Sequence, residues 1–109
     1  MAMVVNRFDV YLISLDPTVG HEIQKTRPCL IISPDEMNRH TRTVIVAPMS
    51  TAVKDYPTRI SCQLKKKKGQ IVLDQIRTID KTRLIKKLGS VDPETQVEVV
   101  SVLQRLFAF

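Results

Sequence analysis

The β-forming residues of this chain come in short bursts, each cut off by proline, glycine or an Asp-Pro step. Only the last segment repeats apolar residues at helical spacing. Many short strands first and one helix last favours a small curled sheet or barrel over a doubly wound α/β fold. Residues 8–15 (FDVYLISL) stop at Asp16-Pro17, and residues 29–32 (CLII) form a short buried strand closed by Ser33-Pro34. Residues 43–49 (TVIVAPM) carry the strongest strand signal, with Pro48 marking an edge or a bulge. Residues 58–64 and 70–76 read as a hairpin whose tip is Lys65-Lys66-Lys67-Lys68 and Gly69. Between these runs, residues 16–28 read as a polar loop, 35–40 as one helical turn, 78–81 as a turn and 83–88 as a strand stopped at Gly89.

The terminal segment has the marks of a capped helix. Asp92 suits the cap, Pro93 the first helical position, and Glu94 the positive end of the dipole. Glu94, Glu98, Ser101 and Arg105 make a polar stripe, and Val99, Val100, Leu103, Leu106 and Phe107 lie opposite, facing the strands. Phe107 and Phe109 are expected to pack into the core or a subunit interface, because exposed terminal aromatics are costly apolar surface.

At 109 residues the chain is read as one domain, residues 1–109. With 43% hydrophobic and 26% charged residues it can build a core, which argues against disorder. Its longest apolar stretches, about six residues, fall far short of the ~20 that cross a bilayer, and no secretory signal is visible. Cys29 and Cys62 are too few and too far apart for a disulfide framework or a metal cage, so neither metal nor cofactor is expected. Two buried thiols in a reducing compartment fit a cytoplasmic protein with no membrane partner.

Charge narrows the partners. The net charge is +6, but 15 of the 17 Lys/Arg and only 5 of the 11 Asp/Glu lie between Lys25 and Lys87. A basic middle of this kind suits RNA, DNA, or an acidic protein that imitates one.

Five segments in this order resemble the MazF/PemK (Kid-like) toxin family: residues 7–11 (RFDVY), 15–22 (LDPTVGHE), 26–28 (TRP), 44–51 (VIVAPMST) and 73–80 (LDQIRTID), followed by the terminal helix. The resemblance spans about residues 7 to 107. It implies a β-rich α+β fold, a small SH3-like curved β-barrel (the MazF/CcdB-like toxin fold) with short helices and a C-terminal helix. It also implies a homodimer and an endoribonuclease toxin that cuts single-stranded RNA. The partner it implies is a cognate acidic antitoxin of MazE/PemI type, with operator DNA reached only through the toxin–antitoxin complex.

Cutting RNA without a metal requires a 2′-hydroxyl that loses its proton in line with phosphorus, charge to meet the phosphorane, and a protonated leaving oxygen. Arg27 matches the family's catalytic arginine, and a guanidinium fork is suited to two phosphate oxygens. Ser50 matches a threonine or serine after the third strand; either Ser50 or its neighbour Thr51 supplies the hydroxyl. The resemblance gives Glu22 a supporting role in MazF-like members, and gives His21 and Asp74 proton-transfer roles in PemK-like ones. Val72 stands where PemK-type members carry an arginine, a departure from their mechanism. Gln75, Arg77, Asn38, Lys54 and Lys25 match or neighbour RNA-touching positions. The tetralysine is either an RNA-backbone contact or a solvated tip that blunts a sheet edge. Two other functions remain open: a non-enzymatic gyrase poison on the same fold, and a basic barrel that binds nucleic acid without chemistry.

Overall fold

The computed structural model describes residues 4–23, 25–64 and 66–108, so the expectations that fall on Lys65 and Phe109 lie outside the described residues. The elements are β1 Asp9–Ser14, β2 Thr26–Ile31, α1 Asp35–His40, β3 Thr43–Ser50, β4 Arg59–Leu64, β5 Lys67–Val72, β6 Arg77–Asp80, β7 Leu84–Ser90 and α2 Pro93–Phe107. Two 3-10 turns, Leu73–Gln75 and Lys81–Arg83, flank β6.

All seven strands join one antiparallel sheet in the order β4-β5-β3-β2-β1-β7, with β6 also paired to β3. The first half of β3 pairs with β6 as far as Val46, and its end pairs with β5 from Met49. Pro48 occupies the gap between them, so its missing N–H costs no ladder bond on that side. It marks the point where the sheet forks, where the sequence reading expected an edge or a bulge. The sheet then curls until its two outer strands approach: Leu64 of β4 lies 3.8 Å from where a Cβ on Gly89 of β7 would sit. Leu88 is left unpaired between Val10↔Gly89 and Tyr11↔Lys87, a bulge that sharpens the curl.

Both faces of the central strands are buried. Val10, Leu30, Ile32, Ala47 and Met49 pack with Val99 and Val102 of α2. Tyr11, Ile13, Cys29, Ile31, Val44 and Val46 pack on the opposite face with Ile79 and Leu84. Alternate residues of one strand therefore enter different cores, which is why residues 29–32 and 44–49 are apolar without interruption. α2 starts as its sequence dictates, with Asp92 Oδ1 accepting from Thr95 N at 2.8 Å. Its last turn departs from expectation. Leu106 is 38% and Phe107 70% exposed, so the apolar stripe outruns the surface that covers it, while Val102 supplies the contact that the stripe assigned elsewhere.

Several boundaries differ from the sequence reading. β2 begins at Thr26, inside the expected loop, because Ser14, Ile13 and Leu12 need partners at Thr26, Arg27 and Pro28. β5 begins at Lys67, so half the lysine run is strand, and it ends at Val72, where the chain turns. Residues 78–80 are strand, and the turn follows at Lys81–Arg83, where Asp80 Oδ1 accepts from Thr82 N at 2.9 Å. β7 continues through Gly89 to Ser90.

Candidate active site

Arg27 and Ser50 belong to adjacent strands. The β2–β3 register runs Ile31↔Val46, Leu30↔Ala47, Cys29↔Pro48, and continued two residues further it sets Arg27 across from Ser50. β5 pairs Gln70 with Ser50 on the other side. Three strand ends thus converge on one cleft of about 310 Å³, lined by Arg27, Ser50, Thr51, Lys67 and Lys68 over an apolar floor of Pro28, Met49, Cys62 and Leu64. No carboxylate is among its described lining residues, so the cleft is set for an anion. Gly69 is required there: a Cβ would meet the Ser50 carbonyl oxygen at 2.8 Å.

Ser50 Oγ accepts from Ala52 N at 3.1 Å, which fixes the oxygen and leaves its own proton to donate. Thr51 is exposed beside it. Burial pushes the Cys29 thiol up to about 12, against the pull of Arg77 and Arg27, and pushes Cys62 up to about 11. Neither is a thiolate at neutral pH. Among the described residues, no three His, Cys, Asp or Glu gather into a group that could hold a metal ion.

A second cleft, about 250 Å³, lies past Pro48 and is lined by Glu22, Asp74, Gln75 and Arg77 with Leu15, Ile23 and Ile76. The loop over it is tied at its base, where Leu15 N donates to Lys25 O at 3.0 Å and Lys25 N to Asp16 Oδ1 at 3.0 Å. Glu22 Oε1 accepts from Val19 N at 2.6 Å within the loop. Among the described residues His21 lines neither cleft; it stands exposed on the loop.

The candidate residues therefore divide into two groups and a remainder. Arg27, Ser50 and Thr51 share the first cleft, and Glu22, Asp74, Gln75 and Arg77 share the second. Asn38 is in neither: it is 2% exposed, its Oδ1 accepts from Ser33 Oγ and its Nδ2 donates to Ser33 O. Its amide is thus committed to Ser33 within the chain, away from both clefts. Gln75 and Arg77 act on the protein itself, Gln75 Oε1 accepting from Ile23 N at 2.9 Å and Arg77 donating to Leu15 O at 3.1 Å. Lys25 and Lys54 are exposed.

Sequence reasoning missed two side chains. Gln70, 5% exposed, bonds the Lys54 backbone both ways, accepting from N at 3.0 Å and donating to O at 2.9 Å, and so anchors the loop after Ser50. Arg59 grips Asp74 with two bonds of 3.2 Å. Neither belongs to a motif. Only their partners, 15 and 16 residues away in sequence, reveal them.

A family model described as the PemK-like, MazF-like toxin of type II toxin–antitoxin systems matches residues 6–107. The chain is 39% identical to Endoribonuclease EndoA of Bacillus subtilis (strain 168), covering 94% of this chain and 93% of that protein. It is 38% identical to Endoribonuclease MazF of Staphylococcus epidermidis, covering 92% and 88%. Among solved structures, MazF (Form-I) from Deinococcus radiodurans superposes with a TM-score of 0.87 at 24% identity, covering 99% of this chain and 100% of that one, a likeness of fold. An endoribonuclease in complex with its cognate antitoxin from a mycobacterial species superposes with a TM-score of 0.81 at 26% identity, covering 96% and 98%.

Proposed function

The chain belongs to the PemK-like, MazF-like toxin family of type II toxin–antitoxin systems, and from that premise we propose that it is an endoribonuclease that cuts single-stranded RNA at selected sequences. The observation that carries the reading is that Arg27 and Ser50 line one cationic cleft, free of carboxylates among its described lining residues.

The scissile phosphate lies between the two. Arg27 meets the charge that grows on the phosphorane oxygens, and Ser50, held by Ala52 N, donates its proton to one of them. Thr51 takes that role if the backbone turns. Lys67 and Lys68 hold the neighbouring phosphates. The attacking group is the substrate's own 2′-hydroxyl, so the reaction needs no metal-activated water. It yields a 2′,3′-cyclic phosphate and a 5′-hydroxyl end. Proton transfer falls to the loop that carries Glu22 and His21, poised over the second cleft. Gln75, Arg77, Lys54 and Lys25 border the path on which bases are read.

The working form is a homodimer in the cytoplasm, and its restraint is an acidic antitoxin segment laid along the cationic cleft. Purified protein in EDTA is expected to cut long RNA at recurrent sites, and one 2′-deoxy substitution at a cut point should abolish that cut alone. Arg27→Ala should lower kcat by about 10³-fold or more, the scale set by removal of a transition-state charge donor, with the fold intact by circular dichroism. Cleavage that persists at the deoxy site refutes the mechanism.

A further inference from the structure

Asp74 sits where the chain's resemblance assigns proton transfer, but its surroundings describe another task. Its Oδ1 accepts from Thr58 Oγ1 at 3.0 Å and from Arg59 Nε at 3.2 Å, and its Oδ2 accepts from the other arm of the same guanidinium at 3.2 Å. The Arg59 side chain is only 9% exposed and lies 5.0 Å from the Tyr56 ring centroid, so the fork is fixed before it meets the carboxylate. Partial burial raises the carboxyl, but the bonds from Arg59 and Thr58 outweigh it and hold the group below the usual carboxylate range. A general base needs an open lone pair and a proton affinity near the working pH. Asp74 has neither.

What Asp74 controls is the residue beside it. Asp74 and Gln75 form one 3-10 turn, Leu73–Gln75. Gln75 Oε1 accepts from Ile23 N, a contact spanning 52 residues that ties the loop above its hinge. Glu22 is the next residue, and the loop's other ties lie at its base, at Leu15, Asp16 and Lys25.

We propose that Asp74 and Arg59 form a brace that positions the Glu22 loop through Gln75 and Ile23, Asp74 being a positioning residue and not the proton acceptor of the reaction. The brace runs from β4 through the 3-10 turn to the loop, linking the sheet that carries the phosphate cleft to the segment that carries the proton-transfer groups. The catalytic part of this proposal rests on the ribonuclease reading; its structural part does not.

Two measurements on the full chain test it. The first is amide exchange without RNA. Arg59→Gln, which leaves the carboxylate in place, is expected to speed exchange at Ile23 N–H by about tenfold or more while core strands stay protected. Unchanged exchange at Ile23 overturns the brace, whether or not the protein cuts RNA. The second is the pH profile of kcat/KM on an RNA oligonucleotide with one cut site. Arg59→Gln and Asp74→Asn should each lower kcat about tenfold and leave the acid limb where it is, and the double variant should be no slower than the slower single, as for two ends of one device. Loss of the acid limb in Asp74→Asn, with a fall of about 10²–10⁴-fold that Arg59→Gln does not share, makes Asp74 the base and overturns the proposal. A wild-type protein that cuts no RNA defeats the ribonuclease reading alone, because the exchange measurement still decides the brace.

Discussion

At the scale of single residues, the cleft depends as much on what is small as on what is charged. Gly69 brings β5 so close to β3 that a methyl group would press on the Ser50 carbonyl at 2.8 Å, against backbone that cannot swing aside. Gly69→Ala must therefore push β5 away from Ser50 and carry Lys68 with it. Because displacement on the scale of an ångström costs about 10²-fold in rate, kcat should fall toward that extent while the far-ultraviolet spectrum is retained. A Gly69→Ala protein with wild-type kcat shows that the close approach does not position Ser50. Asn38 shows the opposite arrangement: its side chain is buried beside its own turn, bonded to Ser33.

Among the elements, the β4–β5 hairpin bears on the reading of the lysine run that sequence left open. Because β5 begins at Lys67, Lys67 and Lys68 stand on the strand that lines the Arg27 cleft. If each holds one phosphate, Lys67→Gln with Lys68→Gln should reduce the slope of log affinity against log salt by about 1.4, at ~0.7 per phosphate for a single strand. Affinity should fall for all RNA sequences alike. A slope equal to wild type assigns the two lysines to solubility. The loop 16–25 is the other decisive element. Besides the ties at its base, Gln75 bonds Ile23 N and Arg83 bonds Asp16 O, side chains drawn from residues that follow β5.

For the molecule as a whole, one curled sheet divides two cores. Leu30 and Ile31 are neighbours in sequence, both fully buried, and belong to opposite cores. Leu30→Ala and Ile31→Ala should each cost about 2–5 kcal/mol. Because the sheet is common to both cores, each loss should appear as a shift of the same single transition, followed by circular dichroism and by tyrosine fluorescence. Two separated transitions in either variant mean that the faces melt independently. Part of the basic middle of the chain also acquires a location at this scale: Arg27, Lys67 and Lys68 meet at one end of the β2–β3–β5 group.

The sequence by itself determined the strands as apolar runs, the Asp92 cap and the order of strands before helix, while Arg27 and the hydroxyl at Ser50 or Thr51 came from family resemblance. These are matters of local spacing, which neighbouring residues encode. Only the tertiary structure decided that Arg27 and Ser50 line one cleft, that Pro48 fills a fork in the sheet, that Asp74 is held by Arg59 and that Asn38 is buried. Each of these depends on register between strands or on contacts that only the folded chain turns toward a cleft or a core. Packing selects those partners from far along the chain, and no local pattern records the choice.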